Sequence, residues 1–74
     1  MRPYRNLSGN SGVVAYAIGK DYVDVKFRGR GEVYRYSERS AGKAAVETMK
    51  LHAAAGRGLS TFIARTQPGH ESPD

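Results

Sequence analysis

Apolar and polar side chains alternate most clearly over Val23-Asp24-Val25-Lys26-Phe27-Arg28 and again over Glu32-Val33-Tyr34-Arg35-Tyr36, with Gly29-Arg30-Gly31 between them. A period of two on either side of a glycine-flanked loop predicts a β-hairpin. Successive side chains of a strand point to opposite faces, so Val23, Val25, Phe27, Tyr34 and Tyr36 share one face and Lys26, Arg28 and Arg35 the other. Upstream, Val14, Tyr16 and Ile18 alternate with Ala15 and Ala17, which predicts a strand from Val13 to Ile18 with the larger set inward. Gly19-Lys20-Asp21 then turns the chain. A tight turn there sets Val14, Tyr16 and Ile18 opposite Phe27, Val25 and Val23, three apolar cross-strand pairs. In the second hairpin, pairing Phe27 with Tyr34 and Val25 with Tyr36 brings Lys26 opposite Arg35, a like-charge pair that a bound anion would relieve.

The period changes after Tyr36. Ser37 or Ser40 can cap a helix, and Ala41 to Ala55 is rich in helix formers apart from Gly42, with Gly56 as a stop. Gly42, Ala45, Val46, Met49 and Ala53 fall on one helical face, and Leu51, near Ala44 and Ala55, on a second and weaker apolar strip. Leu59, Phe62 and Ile63 follow at i, i+3, i+4 spacing, a short closing helix starting near Ser60. The expected fold is therefore α+β: a three-stranded antiparallel meander with one longer and one short helix packed on one face. Residues 12–66 form the single domain. Residues 1–11, with Pro3, Gly9 and Asn10, read as an irregular lead-in, and residues 67–74, with two prolines and a glycine, as a disordered tail.

The elements just traced resemble a known family. The strand ending in Ile18-Gly19, Val25-Lys26-Phe27, Tyr34-Arg35-Tyr36, and the helix leading to Gly56-Arg57-Gly58 and Phe62-Ile63 together look like a KTSC domain over roughly residues 11–65. That small bacterial module occurs alone or at the C-terminus of some lysyl-tRNA synthetases. RNA binding has been suggested for the family, and small phage-encoded transcription regulators are similar in size and layout. A Val-Pro often starts the helix in the family; here Ser37-Glu38-Arg39-Ser40 stands in its place.

Composition narrows the chemistry. The 74 residues carry 12 Lys and Arg against 7 Asp and Glu, a net charge of +5 that favours anionic partners: nucleic acid, an anionic membrane surface or an acidic protein. There is no Cys, which suits a reducing cytoplasm and leaves neither disulfide nor thiolate metal site. No stretch reaches the roughly 18 apolar residues of a membrane span, and no hydrophobic segment of a secretory signal follows the first residues. His52 and His70 lack metal-ligand spacing, and Asp24, Glu32, Glu38 and Glu47 fall on separate elements, so no metal, no cofactor and no catalytic residue is expected. Gly42-Lys43 lacks the flanking residues of a phosphate loop. Gly56-Arg57-Gly58 is read as a helix stop before an anion site.

Two surfaces stand out as candidates for a partner. The cations Lys26, Arg28, Arg30 and Arg35, with Lys20 and Arg39 nearby in sequence, outnumber the acids among them, Asp24 and Glu32. Leu51 marks the apolar helix strip. Tyr34 and Tyr36 are read as core residues in preference to base-stacking platforms, and Tyr4 and Tyr22 as the more exposed rings. The sequence thus reads as a monomeric, non-enzymatic binding protein of bacterial or phage information processing. Its expected role is a small transcription regulator docking on an acidic surface of RNA polymerase. Direct RNA or DNA binding is the alternative and an enzyme a distant third.

Overall fold

The computed structural model describes residues 1–7, 9 and 11–72; Ser8, Asn10, Pro73 and Asp74, which fall in the expected lead-in and tail, lie outside the described residues. Four strands form one antiparallel sheet in sequence order: β1 (Arg2–Pro3), β2 (Val13–Ile18), β3 (Tyr22–Phe27) and β4 (Val33–Ser37). Three helices follow: α1 (Glu38–Ala41), α2 (Lys43–Ala55) and α3 (Leu59–Thr66). The α+β class is as expected, with one strand and one single-turn helix more than the pattern predicted.

The extra strand lies in the supposed lead-in. Arg2 and Pro3 pair with Tyr16 and Ala15, and the Tyr4 N–H donates to the Val14 carbonyl at 3.0 Å. Proline is tolerated because β1 is an edge strand. Tyr4, expected to be exposed, is instead in the core: its ring stands edge-on to Tyr16, and its hydroxyl accepts from the Leu59 N–H at 3.3 Å. The Arg5 guanidinium donates to the Ala54 carbonyl and the Leu7 N–H to the Gly56 carbonyl, so this segment ties the sheet to α2.

In β2 and β3, Tyr16 faces Val25 and Ile18 faces Val23 as predicted. The third pair is Val13 with Phe27, because the ladder shifts between Val13 and Ala15. A bulge admits one extra residue and reverses which parity faces inward. Val13 is consequently buried, Val14 only half-buried, and Ile18, at the far end, is exposed.

The β3–β4 register is two residues tighter than the sequence reading. Val23 pairs with Tyr36, Val25 with Tyr34, Asp24 with Arg35 and Lys26 with Val33. The faces are unchanged but the partners are new: Lys26 does not oppose Arg35. The strain that an anion would have relieved is absent.

Ser37 ends β4 and starts α1. Its hydroxyl accepts from the Ser40 N–H while its own N–H donates to the Ser40 hydroxyl, both at 3.1 Å, a reciprocal capping box. Gly42, expected on the buried face of one long helix, is exposed at φ 92°, a left-handed value that ends α1 and redirects the chain into α2. Val46, Met49 and Ala53 of α2 are buried as predicted, and Leu59 of α3 joins them. These four complete the core with Tyr4, Val13, Tyr16, Val23, Val25 and Tyr36; Phe27, Tyr34, Phe62 and Ile63 pack around its rim. No described helix is long and apolar enough to cross a membrane.

The tail is docked as far as it is described. Glu71 and Arg35 exchange two backbone hydrogen bonds at 2.8 Å on the outer edge of β4. Glu71 thus pairs with the sheet within residues 67–74, the stretch expected to be disordered.

Candidate functional site

The alternation that buries Val23 and Val25 also fixes what the other sheet face presents. Ala15, Ala17, Asp24, Lys26, Val33 and Arg35 lie there, opposite the side that the helices cover. Lys26 is exposed beside Val33. Arg28 follows at the strand end, exposed, its N–H held by the Gly12 carbonyl at 2.8 Å. Neither forms an ion pair among the described residues.

Arg35 behaves differently. Both backbone groups of Arg35 go to Glu71, which makes Asp24 and Arg35 a non-hydrogen-bonded pair, the kind whose side chains approach most closely. The guanidinium binds Asp24 through Nε at 2.8 Å and Nη2 at 3.0 Å, and it lies 3.9 Å over the Tyr22 ring. The hydrogen bond to Asp24 is the main reason its pKa is raised; burial opposes this, and the carboxylates of Asp24 and Glu71 add to it. This cation is already engaged within the fold. Tyr22, expected to be exposed, is half-buried beneath it.

Arg30 turns toward the helix side. Its guanidinium donates to the Tyr34 hydroxyl at 2.8 Å and stands 5.8 Å from the ring centroid. It borders a cleft of about 540 Å³ lined with Phe27, Tyr34, Tyr36, Ile63 and His70, between the hairpin, α3 and the tail. Burial pushes the Tyr36 phenol up, with Tyr34 adding and Arg30 opposing. The His70 ring sits 4.5 Å from Tyr34 and 5.8 Å from Tyr36, centroid to centroid.

Leu51 is 72% exposed. It lies two residues, about 200°, round α2 from buried Met49, so it points away from the sheet. The structure therefore leaves Lys26 and Arg28 exposed at the β3–β4 end, turns Arg30 to the helix side beside Tyr34, and sets Leu51 on the side of α2 that points away from the sheet. One flat interface cannot hold both. Leu51 borders its own hollow with His52, Ala55 and Arg57, and His52 Nδ1 lies 3.2 Å from the Arg57 carbonyl oxygen.

Among the described residues no three His, Asp or Glu side chains come together in a way that could hold a metal ion. Tyr34 and Tyr36 face the helices, so the open sheet face carries no row of free rings. The features that sequence reading missed are the aromatic cleft and its link to the tail. Their only local signal is Pro68-Gly69 ending the α3 pattern, and nothing in that signal points to Tyr34 or Arg35.

No protein-family model, curated protein or solved structure matches this chain. The likeness to the KTSC module accordingly rests on the residues that carry it.

Proposed function

We propose that this chain is a non-enzymatic binding module of the cytoplasm, a small monomeric regulator that docks through the β3–β4 end of its sheet on an acidic protein surface. The observation that carries this reading is the division among the four hairpin cations. Arg35 is paired with Asp24 and stacked on Tyr22, whereas Lys26 and Arg28 are exposed with no ion-pair partner among the described residues and Arg30 meets only the neutral Tyr34 side chain. Unpaired cations at one end steer an acidic partner and fix its orientation. The resemblance to small phage regulators makes RNA polymerase the first target to try.

Nucleic acid is the second reading. The net charge supports it, while the placement of Tyr34 and Tyr36 on the helix side weighs against single-strand stacking. Calorimetry of purified RNA polymerase with wild type and with a Lys26→Glu/Arg28→Glu/Arg30→Glu variant tests the first reading. Binding by wild type and a loss of at least about tenfold in the folded variant are expected. Equal binding by the two excludes the basic end, and no binding by either excludes the polymerase.

A further inference from the structure

The outer edge of β4 is only partly covered. By alternation Val33 and Arg35 both direct their backbone N–H and C=O away from β3, and among the described residues only those of Arg35 are paired, to Glu71. The tail that reaches this edge follows a specified path. Gln67 turns at φ 46°, and a Cβ on Gly69 would stand 2.2 Å from the Ser40 carbonyl oxygen, so only glycine passes that point without displacing backbone. The next two residues then alternate as a strand does. His70 lays its ring against Tyr34 and Tyr36 on the helix side, and Glu71 turns its carboxylate toward the Ser37 hydroxyl, which donates to Oε2 at 3.4 Å.

The chain thus displays, on itself, what the edge accepts: an extended backbone, a ring over the aromatic cleft, and a carboxylate on the next residue. The cis occupant holds the edge by a single residue pair and leaves Val33 open. A longer strand would gain further backbone bonds there and could fill the cleft beneath Arg30 more fully.

We propose that the β4 edge and the cleft beside it receive an extended acidic segment of the protein partner, an aromatic side chain seated against Tyr34 and Ile63, in the place that His70 and Glu71 now hold. This rests on the proposed acidic protein partner and names the form in which it binds. The residues 67–72 then act as an intramolecular competitor.

The probe is a fluorescein-labelled octapeptide alternating phenylalanine and glutamate, titrated into the full chain and read by anisotropy. Gly69→Val and Glu71→Pro each release the tail by different means, a clash with α1 and the loss of one N–H donor. Both should tighten peptide binding, by about tenfold for the two backbone bonds no longer in competition. Ala64→Trp, at an exposed position of α3 that lines the cleft, should weaken it about tenfold by filling the space for the ring. Melting curves confirm that each variant is folded, and Glu71→Pro carries the test if Gly69→Val is not. No peptide binding by wild type or the released variants overturns the proposal. So does binding that Lys26→Glu/Arg28→Glu abolishes while the released and filled variants leave it unchanged, since charge alone would then account for it. The polymerase titration separates the two readings. Wild-type binding there that Ala64→Trp does not alter sinks the edge and spares the basic end; peptide binding with the expected shifts but no polymerase binding does the reverse.

Discussion

Tyr4 joins three parts of the molecule through one side chain. Its ring fills the space between Tyr16 and α3, and its hydroxyl receives the first N–H of that helix, a group with no intrahelical partner. Tyr4→Phe keeps the ring and strands the donor, so a loss of about 1 to 2 kcal/mol is expected by urea unfolding. Tyr4→Ala should lose about 3 to 5 kcal/mol, most of the stability of so small a domain. An alanine variant as stable as wild type would remove Tyr4 from the core. Tyr36 gives a second test through pH. Its pKa in the folded state is raised by burial above the ordinary value near 10. The contribution to stability is therefore complete below pH 10 and is lost as pH rises through the folded value. Melting temperature should fall on the alkaline side, and Tyr36→Phe should flatten that fall; an identical alkaline profile for the two proteins rules out this phenol as the cause. Neither role was visible in the sequence to the same degree. Tyr36 stood in an alternating strand, whereas Tyr4 follows a strand of two residues, too short to show any period.

Ser37 sits where β4 passes into α1, and it serves both elements. Ser37→Ala removes the capping box and the hydroxyl contact with Glu71, and should lower stability by about 1 kcal/mol, read as a shift in the unfolding midpoint with unchanged slope. No shift would mean that the cap is satisfied by water. The sequence offered Ser37 and Ser40 as rival caps; they cap each other. Element types were legible because period two and period 3.6 are distinct in a chain this regular. Register was not. A slip of two residues leaves every side chain on its own face, so alternation cannot tell Phe27 opposite Tyr34 from Val25 opposite Tyr34. That slip decides the chemistry, since it exchanges a repulsive Lys26–Arg35 pair for the Asp24–Arg35 ion pair. The bulge near Val14 was hidden because nothing in the alternation marks an extra residue, and the break at Gly42 because a single glycine is also tolerated inside a continuous helix.

At the scale of the whole molecule, the layered arrangement separates what the sequence had placed together. Lys26 is on the open sheet face and Leu51 on the far side of the helix layer, so Leu51→Asp should leave docking at the basic end unchanged, measured by the same calorimetry as the charge reversals. A large loss would relocate the interface to α2. Charge also bears on the nucleic-acid reading in a quantitative way. Each phosphate neutralised contributes a slope of about 0.9 to the fall of log affinity with log salt on duplex DNA, and about 0.7 on single strands. With Arg35 tied to Asp24 and Tyr22, the hairpin has three cations to offer, which caps the slope at about 2.7 for a duplex and about 2 for a single strand. Gel shifts with RNA and DNA across a salt series would then show weak binding that vanishes by physiological ionic strength. Tight binding with a slope of five or more would require cations from Arg2, Lys20, Lys43 or Arg57 on other faces, and would show that nucleic acid wraps the domain and that the protein-docking reading of the hairpin is wrong.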